Sequence, residues 1–339
     1  MTTLPPPPAP GTNGPSASPD GDPFAWFAQS FRAVQDNVEI VIRGKAEVVH
    51  LALVCLLAEG HLLVEDVPGV GKTSLARSLA VSIGSTWHRI QFTPDLLPSD
   101  VTGVSIYNQG SGTFDFKPGP VFAGVVLADE INRASPKTQS ALLEVMEEQH
   151  VTVDGVPHAV PRPFMVVATQ NPVDMDGTYP LPEAQLDRFL LRVSVGYPDR
   201  TAEIDILRAH RGASAIDQLA PVLTPDVVRA MIAVTNEVHV ADSVHDYIVR
   251  LVAATRSLAE VRLGASPRGS LALLRAGRAL AAADGRGFLL PEDVRTLAVP
   301  VLAHRLILTP EAEVRGVTPA QIVDRVLADE PVPRAADVS

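Results

Sequence analysis

The sequence predicts an open α/β fold built on a parallel sheet, followed by an all-helical region. Up to about Pro198, apolar strand-like runs alternate with helical patterns, as parallel strands joined by crossover helices require. A glycine-rich turn, Asp66 to Thr73, lies between one such run and a helix. Beyond Pro198 the periodic segments are helical: Ala202 to His210, Pro225 to Glu237, Val244 to Glu260, Arg268 to Ala283 and Pro291 to Ala303.

Residues 1–23 (MTTLPPPPAPGTNGPSASPDGDP) hold no aromatic residue and, beyond Leu4, no branched aliphatic one. They cannot bury enough surface to offset the entropy of ordering, so a solvated tail is expected, with its PPPP run a possible ligand for a proline-binding groove. The segment 331–339 reads the same way. Between these tails the sequence places a nucleotide-binding core at 24–198 and the helical region at 199–330. The longest apolar stretch, Val48 to Ala58, is broken by His50 and stopped by Glu59 and His61; it is too short to span a bilayer. The lone cysteine, Cys55, lies within it, which excludes an intrachain disulfide and reads as core packing. The amino end shows neither a basic segment nor an apolar h-region, so no secretory signal or transmembrane segment is expected and the location expected is cytoplasmic.

Leu62 to Val64 is the first strand, and from Thr73 a helix carries Leu75, Leu79 and Ile83 on one face. The loop between them, DVPGVGKT, departs from GxxxxGK[ST] only in having Asp66 where the opening glycine is usual. In this strand, loop, helix context, Pro68, Gly69, Val70, Gly71, Lys72, Thr73 and Ser74 would surround phosphate groups. Backbone N–H groups would cradle the anion, Lys72 would reach the β/γ oxygens, and the Thr73 hydroxyl would ligate Mg²⁺. Taken alone, an ordinary glycine-rich turn remains the alternative.

Val125 to Ala128 is a buried-strand pattern that delivers Asp129 and Glu130 at its carboxyl end, where ligands of open α/β sheets sit. Asp129 would hold the Mg²⁺ shell and Glu130 would polarise an attacking water. Phe164 to Ala168 runs into Thr169, Gln170, Asn171 and Pro172. The Asn171 amide would orient water against a γ-phosphate, or it is a turn asparagine before proline. Arg188, in EAQLDRF, reads in isolation as a surface arginine paired with Asp187 or Glu183. Arg268 begins a helix after Ser266 and Pro267, and alone reads as a helix-end arginine covering apolar surface.

The strings LLVEDVPGVGKTSLARSLA, RIQFTPDLLPSDVTG, FKPGPVFAGVVLADEINRASPKTQSALLEVMEE, VVATQNPVDMDGTYPLPEAQLDRF and SPRGSLALLRAGRALA resemble the MoxR family of AAA+ ATPases, from about Val38 to about Val326. The resemblance implies a P-loop AAA+ parallel-sheet core with a helical lid, using ATP and Mg²⁺. It implies Walker A at Lys72 and Thr73, Walker B at Asp129 and Glu130, sensor 1 at Asn171, an arginine finger at Arg188 and sensor 2 at Arg268. Asp66 fits, since members commonly carry an acidic residue there. Such ATPases usually form homo-oligomeric, hexameric rings with ATP between subunits. Relatives act as chaperones that mature or activate a client enzyme complex, often by metal insertion, alongside proteins containing a von Willebrand factor A domain.

Two insertions interrupt the core. Pro94 to Gly119 resembles the helix 2 insert of the wider clade, and Val151 to Val160 reads as a hairpin turning at Asp154 and Gly155. Such hairpins line the upper face or pore of the ring in relatives. His150 and His158 flank the second and are expected to be solvent-exposed, since no further ligands stand at metal-site spacing. The hairpin carries no Lys or Arg, and the first insertion has only Lys117 against Asp95, Asp100 and Asp115. With a net charge of −11, this disfavours nucleic acid, which demands cations to neutralise phosphates. A nucleic-acid motor or loader of the same fold is the alternative reading. A nucleotide-gated scaffold is a third, against which Glu130 and Asn171 argue.

Overall fold

The computed structural model describes residues 21–67, 69–171, 178–197, 200–201, 203–204 and 215–333. In chain order the first part runs α1 (Pro23–Glu39), α2 (Ala46–Leu57), β1 (Leu62–Glu65), α3 (Lys72–Ser82), β2 (Trp87–Gln91), α4 (Pro98–Thr102), β3 (Gly103–Asn108), β4 (Thr113–Pro118), β5 (Val125–Asp129), α5 (Pro136–Glu148), β6 (His150–Val153), β7 (Val156–Ala159), β8 (Met165–Gln170), α6 (Glu183–Leu186) and β9 (Leu191–Val193).

Helix α1 starts earlier than a tail ending at residue 23 allows. The Asp22 carboxylate accepts the Phe24 N–H at 2.9 Å, and Pro23 occupies the first turn, where its missing N–H costs nothing. Residues 1–20, the bulk of the expected tail, lie outside the described residues, as do 334–339.

The sheet is parallel throughout, in the order β2-β5-β8-β1-β9. Strands β5 and β8 and the apolar part of β1 are buried, because helices cover both faces of such a sheet. Leu62 and Val64 face one apolar cluster while Leu63 faces the other, as the two-residue period of a strand dictates. The register sets Glu65 beside Gln170 and Gln91 beside Asp129, bringing the polar strand ends to one edge of the sheet.

The first insertion folds as the short helix α4 followed by the hairpin β3–β4, and the second as the hairpin β6–β7. Asp154 and Gly155 adopt φ of 51° and 80° at the second turn, as the tight hairpin turn requires. The hairpins touch: Ser105 Oγ donates to Asp154 at 2.5 Å, and the His158 ring stacks on Phe116 at 4.1 Å. His150 and His158 are thus half-buried rather than free in solvent. Among the described residues no cluster of three or more His, Cys, Asp or Glu is placed to hold a metal.

The second part continues with α7 (Pro225–Glu237), α8 (Asp242–Ala254), β10 (Val261–Leu263), α9 (Pro267–Ala283), α10 (Pro291–Leu302), β11 (Ile307–Leu308), α11 (Pro310–Val314) and α12 (Pro319–Asp329). It is helical except for the ribbon β10–β11. The helix expected to reach Glu260 stops at Ala254, where Thr255 Oγ1 donates to the Val252 carbonyl and accepts the Ala265 N–H. Most of Ala202 to His210 lies outside the described residues. One apolar cluster runs unbroken from Phe27 and Phe31 of α1 through Leu53 of α2 to Met231, Leu273 and Leu297 of the helical part. Cys55 is buried within it, as expected, and burial pushes its thiol pKa far up. No described helix is long and apolar enough to cross a membrane.

Candidate active site

Gly69 and Gly71 adopt φ of +87° and +95°, and an added Cβ would meet nothing within 4 Å at either. Glycine is required there by backbone conformation, not by crowding. Gly71 is the N-cap of α3, and no side chain caps that helix. A helix start with uncapped N–H groups is a ready anion site.

Asp66 acts as an anchor. Its carboxylate accepts from the Val67 N–H at 2.8 Å, the Ser194 hydroxyl at 3.0 Å and the Gly196 N–H at 2.5 Å, tying the loop to the end of β9. Burial, the largest single influence on its pKa, raises it; the donors from Gly196, Val67 and Ser194 and the Lys72 charge outweigh burial and hold it below the ordinary value. Lys72 Nζ donates to the Asp66 carbonyl at 2.7 Å.

A cleft of about 250 Å³ is lined by Gly69, Gly71, Lys72, Thr73, Arg89, Asp129, Glu130 and Asn171. Its acidic wall is heavily braced. Asp129 Oδ1 accepts from Thr169 Oγ1 at 2.6 Å, while Oδ2 accepts from Arg89 Nε at 3.0 Å and Nη2 at 2.6 Å. The same Thr169 hydroxyl accepts the Glu130 N–H at 2.8 Å, fixing a backbone with φ of 56°. The Glu130 carboxylate accepts from Gln91 Nε2 at 2.9 Å and Arg133 Nη1 at 3.0 Å. Asn171 is buried at the end of β8. Asp129 and Thr73 offer hard oxygen ligands on one cleft, and a guanidinium already rests on Oδ2, so cationic charge is accommodated there. One carboxylate and a hydroxyl suit Mg²⁺, which completes its shell with water and phosphate oxygens.

Arg188 and Arg268 do not line this cleft. They meet on another surface, where Arg188 Nη2 lies 3.0 Å from Glu147 Oε2 and Arg268 Nη2 donates to Glu147 Oε1 at 2.5 Å. A second cavity of about 270 Å³ opens there, with Arg275 and Arg305 in its wall. Beside it, Asp187 accepts from Ser266 Oγ at 2.7 Å and from Arg305, which also donates to the Phe189 carbonyl at 2.7 Å. His61, in the same wall, is buried: Nδ1 accepts the Val166 N–H and Nε2 donates to the Met146 carbonyl, each at 3.0 Å. Burial lowers its pKa to about 4.

Of the remaining loop residues, Val70 packs against the apolar cluster, Ser74 is half-buried in α3, and Pro68 lies outside the described residues. Sequence reasoning missed Arg89, Gln91, Thr169 and Glu147 as contributors. For the first two the signal was the polar carboxyl end of WHRIQ, beside Asp129 in the register.

A parallel sheet with a glycine-rich loop after β1, an acidic pair ending β5, a polar residue past β8 and a trailing helical lid defines the class: an AAA+ ATPase fold. Residues 61–191 match the ATPase family associated with various cellular activities (AAA), and 253–326 match the AAA lid domain. The chain is 46% identical to Chaperone MoxR1 of Mycobacterium tuberculosis over 88% of this chain and 81% of that one. It is 50% identical to the uncharacterised protein YeaC of Bacillus subtilis, covering 88% and 93% of the two chains, and 33% identical to Protein MoxR of Paracoccus denitrificans, covering 91% and 98%. A crystal structure of a protein assigned as an ATPase, from Cytophaga hutchinsonii, superposes with a TM-score of 0.86 at 38% identity, covering 92% of this chain and 97% of that one. The chain belongs to the MoxR family of AAA+ ATPases.

Proposed function

We propose that the protein hydrolyses ATP to ADP and phosphate, with Mg²⁺, and uses the cycle as a chaperone to remodel, mature or activate a partner complex. The observation that carries this is the division of labour between its surfaces. Lys72, Thr73, Asp129, Glu130 and Asn171 share one cleft, whereas Arg188 and Arg268 stand together on a different surface. Such a chain holds a nucleotide on one side and offers arginines on another, which supports a homo-oligomeric, hexameric ring whose sites are completed between neighbours.

In this mechanism the α3 N-terminus and Lys72 hold the phosphates. Glu130 takes the proton from the attacking water, which Asn171 orients. Gln91 and Arg133 keep the Glu130 carboxylate aimed from the sheet edge. Thr73 and Asp129 would hold Mg²⁺, which when bound offsets charge on the phosphate oxygens. Arg188, with Arg268 beside it, approaches the neighbour's γ-phosphate. The client class, a complex served together with a protein containing a von Willebrand factor A domain, and a cytoplasmic setting follow from kinship with MoxR chaperones. The first insertion, with Lys117 against Asp95, Asp100 and Asp115, suits a protein client better than nucleic acid.

Phosphate release and nucleotide binding test the reading together. Lys72→Ala should lose tight ATP binding, while Glu130→Gln should bind ATP and stop turning over, since Glu130 acts only in the water attack. Arg188→Ala should be nearly silent, because arginine fingers contribute roughly 10³ to 10⁵ in rate. Mixed rings of Arg188→Ala and Glu130→Gln protomers should regain activity. Wild-type turnover by Glu130→Gln would refute the assignment.

A further inference from the structure

We propose that Glu147 is a positioning residue that holds Arg188 and Arg268 side by side as a paired cationic probe for a neighbouring subunit's nucleotide phosphates. The proposal rests on the reading that these arginines complete the neighbour's site.

Three separate elements converge on this one carboxylate. Glu147 lies in the last turn of α5, Arg188 follows α6, and Arg268 is in the first turn of α9. Each carboxylate oxygen takes one guanidinium, whose closest approach is through Nη2. A guanidinium carries five N–H donors, so both forks keep most of theirs for a phosphate, the geometry they match best. Two cations brought together without an anion between them would splay apart. Asp187, beside Arg188, is engaged by Arg305, and Arg275 is spent on the carbonyls of Ala58 and Glu59.

The backbones on either side are already fixed. The Met146 carbonyl, one residue before Glu147, is held by His61, and Asp187, one residue before Arg188, is held by Ser266 and Arg305. What remains to be ordered is the pair of arginine side chains, and the shared carboxylate does that. Glu147 is also badly placed for stability. The last turn of a helix favours cations, and α5 has no basic residue there. With its side chain 37% exposed, it is not a core element.

The test uses full-length Glu147→Gln and Glu147→Asp in assembled rings. Misplacing a catalytic group by about 1 Å costs on the order of 10²-fold, so Glu147→Gln should lower kcat about 10- to 100-fold. KM should stay within about 3-fold, and the melting temperature should not fall. Glu147→Asp, which keeps the charge, should retain more activity than Glu147→Gln. Mixing Glu147→Gln with Glu130→Gln protomers should restore turnover, because the defect lies in the site of the neighbour. Wild-type or higher kcat in Glu147→Gln would overturn the proposal, as would a loss carried by destabilisation or an Asp variant no better than Gln. If Arg188→Ala and Glu130→Gln complement while Glu147→Gln is normal, only this proposal fails. If Arg188→Ala and Glu130→Gln do not complement in demonstrated mixed rings, the intersubunit reading fails and takes this proposal with it.

Discussion

Removing Arg89 should make the site bind Mg²⁺ more readily. The Arg89 guanidinium donates to Asp129 Oδ2 through Nε and Nη2, at 3.0 and 2.6 Å, so it holds the oxygen that a metal's shell would use. A hydrogen bond to a charged group contributes about 1.5 to 3 kcal/mol when well shielded. Here the Arg89 side chain is 48% exposed against 12% for Asp129, and solvent screening reduces the pair to about 1 kcal/mol. Displacing it therefore costs roughly a factor of five in metal affinity. Arg89→Ala should lower the half-saturating Mg²⁺ concentration about five-fold, and loss of a positive charge acts in the same direction. The assay is a Mg²⁺ titration of fluorescent-ADP binding, where chemistry does not intervene, repeated for phosphate release at saturating ATP. An unchanged or raised midpoint would refute the reasoning, showing that ion and guanidinium do not compete for Asp129.

Asp66→Ala strands the Val67 and Gly196 N–H groups and the Ser194 hydroxyl; it should cost about 2 kcal/mol in urea unfolding and weaken ATP binding, and a variant as stable as the parent would exclude the anchor role. His61 gives a pH dependence with a definite sign. Its pKa falls from 6.5 to about 4 on folding, so its contribution is complete above pH 6.5 and is lost as pH falls toward 4, up to about 3 kcal/mol. Buried His304 shifts in the same direction. Between pH 6.5 and 4 the parent should therefore lose up to about 3 kcal/mol more unfolding free energy than His61→Leu, and equal acid losses in both would dismiss the effect. Gly71→Ala forces a side chain to a φ of +95°; about 1 to 2 kcal/mol of strain is expected, with loss of nucleotide binding measurable by calorimetry.

The strand ends were legible because each is an apolar run with a polar tip, as in VVLADE and VVATQN, and burial on both faces leaves few other readings. Helix α7 matched its expected span because Thr224 and Pro225 mark its start. Strand order was not legible. Without it nothing in WHRIQ announces that Arg89 and Gln91 sit against the acidic pair ending β5. The meeting of Glu147, Arg188 and Arg268 was equally hidden, since contacts across 41 and 121 positions leave no local periodicity. The early end of α8 turned on one hydroxyl, that of Thr255, whose partner at Ala265 comes from the following loop.

Asp187 is gripped from the lid by Ser266 and by the buried Arg305, and Arg188 is the next residue along the chain. The lid is therefore geared to the arginine rather than merely packed near it. If the proposed ring forms, a client that tilts the lid of one subunit would turn that arginine toward or away from the neighbour's nucleotide. In the proposed ring such a linkage would have a hand: news of one subunit's lid would travel to the neighbour its arginines face, and to no other.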